Sequence, residues 1–245
     1  RAAEVLAELE LLLTTEGAAV CAVVLEPMVQ AAGGMLTHHP DFLRGARALC
    51  DRHGVYLIAD EVATGIGRTG RMWAVEHAEI APDLMTAGKG ITAGYLPLSA
   101  VLATEQIYQA FLGSAESGRT FFHGHSYTAN PLAAAAALAN LALMAEQQTV
   151  AHAARVGELI GAQLASLSDY DGVIEIRRMG TMTGIEVASV GQRTGFQVCQ
   201  EARRRGVWVR PLGDVVVLMP PLAIGDDELD VLTGTVADAI RAVVQ

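Results

Sequence analysis

Residues 55–60, Val-Tyr-Leu-Ile-Ala-Asp, and residues 84–89, Leu-Met-Thr-Ala-Gly-Lys, decide the fold. Each is a short, mostly apolar run that reads as a strand, and each ends on a reactive group, Asp60 in one and Lys89 in the other. Working outward, residues 19–25, AVCAVVL, form a third apolar run without alternation, the pattern of a strand covered on both faces. Pro40 then opens a helical pattern over 41–52, with Phe42, Leu43, Ala46, Leu49 and Cys50 on one stripe. Strand, helix and strand at this spacing make a right-handed crossover of an open, mostly parallel α/β sheet. Residues 98–103, LSAVLA, add a strand, and Thr104 is placed to cap a short helix with Ile107 and Phe111 facing inward.

The remaining chain divides by character. Residues 2–13 carry leucines at helical spacing, and an alanine-rich helix is expected from Pro131 to about Met144. From about residue 145 the pattern changes to a helix over 149–167, strands in GVIEIRR and TMTGIEVA, and a helix over 191–205. Strands VWVR and VVVLMP and a helix over 226–243 follow, with Asp226 as its N-cap. This predicts two domains: residues 1–144, and a smaller α+β domain over 145–245.

Composition narrows the function. Of 245 residues 51% are apolar and 18% charged, which is a packed globular chain and not a disordered one. A net charge of -10 argues against a nucleic-acid surface and against binding to an anionic membrane. No apolar run reaches the ~18–20 residues a membrane helix needs, and RAAEVLAELE does not read as a signal peptide. Cys21, Cys50 and Cys199 are odd in number and far apart, as expected of reduced thiols in cytoplasm, and their spacing offers no metal site.

Lys89 sits in nearly uncharged, glycine-rich company, GKGITAGYLPLSAVLA. A buried lysine is rare unless it is paired or used, and a desolvated amine is a nucleophile suited to a Schiff base. One amine and one carboxylate where parallel strands stop suit pyridoxal 5'-phosphate: Asp60 would hold the ring nitrogen protonated and Lys89 would carry the aldehyde. Glu61 reads as supporting or structural. GIGRTG at 65–70 fits the bare dinucleotide expression. It stands apart from the strand end at Asp60 with no helix after Gly70, so it is expected to be a shaped loop. In RTFFHGHSYTANP, 119–131, the hydroxyls of Ser126 and Thr128 are candidates for phosphate contact, and His123 and His125 for loop packing. Arg210 can clamp a substrate carboxylate through its two-pronged fork.

With these residues in hand, the sequence resembles the class III, fold type I, pyridoxal-phosphate-dependent aminotransferases. The passages that carry the resemblance are LEPMVQAAGGM (25–35), YLIADEVATGIGRTGRMWAVEHAEIAPDLMTAGKGITAGYLPLSA (56–100), TFFHGHSYTANPLA (120–133) and GVWVRPLGDVVVLMPP (206–221). The resemblance implies that Lys89 is the catalytic lysine and Asp60 the partner of the ring nitrogen. It places His125 and Ser126 in a loop that reaches the cofactor phosphate of a partner subunit. It makes Arg210 a substrate-carboxylate ligand, with Gly124 and Tyr127 at nearby pocket positions. It further implies a cytoplasmic homodimer with sites at the subunit interface, and ping-pong transfer of an amino group between small molecules. Donors within the class include ω-amino acids, ornithine and 4-aminobutyrate. The match covers the C-terminal part of the family's length. It gives part of the large cofactor domain and the small domain, without the Gly-Ser phosphate cup or the aromatic residue that stacks on the ring. An inactive piece with open sheet edges is therefore the rival expectation.

Overall fold

A computed structural model of the chain describes residues 2–244. In order it runs through α1 (Ala2–Glu16), β1 (Ala22–Leu25), β2 (Val29–Gln30), β3 (Leu36–Thr37), α2 (Pro40–His53), β4 (Tyr56–Asp60), β5 (Leu84–Ala87) and β6 (Ala100–Ala103). Next come α3 (Glu105–Ala110), α4 (Pro131–Glu146), α5 (Thr149–Gln163), β7 (Val173–Met179) and β8 (Met182–Val187). The chain ends with α6 (Thr194–Arg204), β9 (Arg210–Leu212), β10 (Val215–Leu218) and α7 (Asp226–Val243). Contacts divide these elements into two compact units. The first holds residues up to Pro27, His39–Gly65 and Val75–Gln147; the second holds Met28–His38, Ile66–Ala74 and the chain from Gln148. The units interleave along the sequence.

In the first unit the strand order is β1-β4-β5-β6, with β1, β4 and β5 parallel and β6 antiparallel to β5. Helix α2 is the crossover between β1 and β4. It starts because Pro40 sits at its first turn and the His39 ring accepts the Asp41 N–H, and it stops where Gly54 takes the left-handed conformation. Leu43, Ala46, Leu49 and Cys50 are its buried stripe. Leu49 joins Val55 and Leu13 of α1 in one apolar cluster. At the amino end of β5, Asp83 accepts from the Leu57 N–H at 2.7 Å and from Arg47 of α2 at 2.6 Å, fastening helix to sheet. Burial alone would raise the Asp83 carboxyl, but these two donors outweigh it and hold it below its ordinary value.

Two expectations for this unit are corrected. Strand β1 is not covered on both faces: it lies at the sheet edge and Val24 is 62% exposed. Helix α3 does not turn Phe111 inward, and Thr104 stands at its N-cap without a side-chain capping bond. The helix has six residues and no buried side chain, so inward packing has nothing to hold it.

The second unit is an antiparallel sheet, β7-β8-β10-β9, whose core joins Ile185 of β8 and Val216 of β10 to Ile160 of α5, Val198 of α6, and Leu229 and Ile240 of α7. Burial pushes the Cys199 thiol in this core up to about 11. The residues AAGGM are the connection of a small hairpin, β2 with β3. It is tied down by Arg177 of β7, which donates to the Gly34 carbonyl and pairs with Glu175 and Glu186. Residues 66–70 of GIGRTG form a loop in this unit. The Arg68 carbonyl accepts from both the backbone N–H and the hydroxyl of Thr181 at 3.0 Å, and its guanidinium donates to the Pro220 carbonyl at 2.5 Å. Gly180 (φ +57°) admits this approach, since a Cβ there would lie 2.6 Å from Arg68 O and Thr69 Cα.

Two further corrections fall here. Residues 207–209 lie outside any strand and β9 begins at Arg210, so VWVR is not the strand. The N-cap of α7 is Gly225, without a side-chain cap. Asp226 instead pairs with Arg155 at 2.7 and 3.0 Å, and its negative charge still lies in the first turn, where the helix dipole favours it.

Candidate active site

Strands β4 and β5 are parallel neighbours, and Asp60 lies opposite Thr86 in their register. Both strands therefore stop at the same edge of the sheet, the edge where open α/β sheets place ligands. Asp60 is half-buried there. Its Oδ1 accepts from the Thr86 hydroxyl at 2.9 Å and from the Val62 N–H at 3.1 Å. Both bonds fall on one oxygen, which leaves Oδ2 as the available acceptor. The next residue, Glu61, is fully buried, and its carboxylate accepts from the Thr64 hydroxyl at 2.7 Å and from the Val75 N–H at 2.9 Å. Glu61 thus braces the loop behind Asp60, which gives it the structural role.

Lys89 follows β5 after the extended Gly88 and opens a 3-10 turn over Lys89–Thr92. Its φ of +42° is a left-handed backbone that costs a side-chain-bearing residue about 1–2 kcal/mol. The turn is held from outside. Asn140 of α4 donates to the carbonyls of Gly90 (3.0 Å) and Ile91 (3.1 Å), and Thr92 is buried with its hydroxyl on the Leu96 carbonyl at 2.6 Å. Backbone strain kept in place by its surroundings is a mark of functional positions. One expectation is corrected: Lys89 is exposed, not desolvated. Its turn lies beyond the strand end, and residues 119–129 of the following loop are exposed as well, in a chain that spans about half the length of its relatives.

In that loop the turn at Ser126–Ala129 is built by its neighbours. The His125 N–H donates to the Thr128 hydroxyl at 2.9 Å, the His125 Nδ1 accepts the Tyr127 N–H at 3.1 Å, and the Thr128 N–H returns to the His125 carbonyl at 3.0 Å. Thr128 and the His125 ring are thereby occupied in shaping the turn, and Ser126 is exposed within it. Gly124 precedes them, and a Cβ on it would meet only the Thr128 hydroxyl, at 3.7 Å. His123 stacks on Phe121, ring centroids 5.3 Å apart. Arg210 stands exposed at the start of β9 in the second unit, opposite Val217. Among the described residues no group of three His, Cys, Asp or Glu is placed to hold a metal ion, and no helix is long and apolar enough to cross a membrane.

Reading the sequence alone missed Thr86 and Asn140. Each left a signal: a hydroxyl near the end of an apolar strand, and a lone amide in an alanine-rich helix.

An acid with one free oxygen and an amine past the next strand, at one sheet edge, suit the ring nitrogen and the aldehyde of pyridoxal phosphate. The chain belongs to the class-III aminotransferase family, whose sequence model, "Aminotransferase class-III", matches residues 1–240. Among its relatives is the adenosylmethionine-8-amino-7-oxononanoate aminotransferase of Nitratidesulfovibrio vulgaris, 51% identical over 98% of this chain and 46% of that protein. The crystal structure of the enzyme of the same name from Methanocaldococcus jannaschii superposes with a TM-score of 0.93 at 33% identity, over 98% of this chain and 58% of that one. A thermostable omega transaminase from Pseudomonas jessenii gives 0.93 at 27% identity, over 99% and 56%. The chain spans about half the length of the curated relatives it matches, 46% and 55% of the first two. Class III aminotransferases use pyridoxal 5'-phosphate, and Asp60 and Lys89 fit that group: an ionisable acid for its ring nitrogen and a primary amine for its aldehyde.

Proposed function

We propose that this chain carries the catalytic lysine of an enzyme that moves the amino group of S-adenosylmethionine to 8-amino-7-oxononanoate. The product is 7,8-diaminononanoate, a step of biotin biosynthesis. The observation that carries the reading is the placement of Asp60 and Lys89 at the carboxyl ends of paired parallel strands, in a chain 51% identical to a protein named for that activity.

Pyridoxal 5'-phosphate, when bound, supplies an electron sink for the substrate carbon. The Asp60 Oδ2 accepts from the ring nitrogen and keeps it protonated. Lys89 Nζ takes the proton from the α-carbon of the donor and returns one to the acceptor, which asks for an amine that can reach both positions. Ser126, in the turn shaped by His125 and Thr128, contacts the phosphate in the partner subunit of a homodimer, and Gly124 lies against the substrate. Arg210 receives a substrate carboxylate; its guanidinium makes no ion pair among the described residues. The first unit is then the C-terminal part of the large cofactor domain, the second the small domain, and the enzyme works in the cytoplasm on small molecules.

The likeness to an omega transaminase favours one second reading, in which an ω-amino acid is the donor. The test offers the protein, in the length its gene encodes, S-adenosylmethionine, an ω-amino acid, ornithine or 4-aminobutyrate as donor to 8-amino-7-oxononanoate. Turnover with S-adenosylmethionine and little with the others is expected. Preference for an ω-amino acid would overturn the assignment.

A further inference from the structure

We propose that Thr86 is a positioning residue: its hydroxyl fixes the rotamer of Asp60 so that Oδ2, and not Oδ1, meets the ring nitrogen of the cofactor. The inference rests on the cofactor reading above. Thr86 and Asp60 are directly opposed in the parallel pair, and the hydroxyl reaches Oδ1 at 2.9 Å. The Val62 N–H meets the same oxygen at 3.1 Å, so Oδ1 is held from two directions. The Thr86 carbonyl is fixed as well, by the Glu61 N–H at 3.0 Å, which keeps the donor from drifting along the strand. A carboxylate can otherwise rotate about its terminal torsion, which is broad and two-fold. Two donors on one oxygen break that symmetry and commit the other oxygen to a ligand.

The selective test compares two ligands: pyridoxal 5'-phosphate, and its analogue in which CH replaces the ring nitrogen. Only the first depends on where Asp60 points. Thr86→Val keeps the shape and suits a strand, and Thr86→Ser keeps the hydroxyl. In the cofactor-free protein, Thr86→Val is expected to raise the Kd for pyridoxal phosphate about tenfold, the scale of a hydrogen bond to a charged group. The Kd for the analogue stays unchanged, and Thr86→Ser restores the first. Equal losses for both ligands would mean that Thr86 only packs, and no loss would mean that its bond orients nothing; either overturns the proposal. If the unsubstituted protein itself fails to distinguish the two ligands, the pairing of Asp60 with the ring falls, and this proposal with it. A selective wild type beside an equally selective Thr86→Val removes the role of Thr86 alone.

Discussion

In the second unit Val156, Ile160, Ile185, Val216, Leu229 and Ile240 are sealed at 0% exposure, whereas in the first Tyr95, Tyr127 and Phe122 stand 85, 79 and 93% exposed in the segments that follow Lys89. Both contrasts come from the same kind of sequence, rich in apolar residues and poor in charge. They differ in what local elements can cover. Three amphipathic helices supply the core of the second unit, and each contributes a stripe to it. In the first unit α3 is too short to bury anything and α4 buries only Ala133 and Ala137. Asp60 and Lys89 thus belong to the unit that leaves more apolar surface open, and Arg210 to the closed one.

If that separation holds, removing the amine should abolish function and leave both cores intact. Lys89→Ala is expected to lower transamination by about 10²–10⁴-fold, the range of a lost proton-transfer group. Thermal melting should hardly change, because Lys89 is exposed and its turn is held by backbone carbonyls on Asn140. Alanine also carries the cost of a positive φ, which lysine already bears. Retained turnover, measured with the preferred donor, would remove Lys89 from the mechanism.

The closed unit should break in the opposite way. Gly180→Ala drives a Cβ to 2.6 Å from backbone atoms of the 66–70 loop, and those atoms cannot rotate away as a side chain could. A loss of about 3 kcal/mol in unfolding free energy is expected, the upper range of overpacking. Gly118 is the control in the first unit: it too has a positive φ, +68°, but a Cβ on it meets nothing within 4 Å. Gly118→Ala should cost about 1 kcal/mol, the left-handed backbone penalty alone. Denaturant titration of both variants measures the difference, and equal losses would show that φ and not close approach sets the cost.

These two glycines also show what the sequence could and could not convey. The strands ending at Asp60 and Ala87 and the helix after Pro40 were legible because apolar runs, proline and glycine act over a few residues. The placement of Asp60 and Lys89 at neighbouring strand ends was legible because an acid and an amine each closed such a run. What stayed hidden depends on distant partners. Gly180 meets the backbone of Thr69, Asn140 meets Gly90, and Thr86 meets Asp60 across a strand pair. Lys89 is exposed in this chain although its sequence neighbours are apolar, because its turn lies past the strand end and the chain spans about half the length of its relatives. Phe111 and the strand placed at VWVR failed where only local propensity spoke.

The smallest expected effect separates the units by pH. Asp83 belongs to the first unit, and its carboxyl is held below the ordinary 3.8 by the Leu57 N–H and Arg47 against the opposing pull of burial. A depressed carboxyl stabilises the fold fully above its unfolded value, and that stability is lost as the pH falls through the lower folded value. The first unit should therefore loosen on acidification below about pH 4, at a point set in part by this residue. Asp83→Asn removes the charge and keeps a smaller acceptor, so at neutral pH it should cost about 1 kcal/mol, a hydrogen-bond-sized loss. The acid-side slope of stability should flatten by the same contribution. Hydrogen exchange read separately for amides of β4 and of β8 makes the comparison within one molecule. Protection at β4 should respond to the substitution and that at β8 should not. An equal response at both would mean that the two units unfold as one, and the contrast drawn between them would then describe surfaces only.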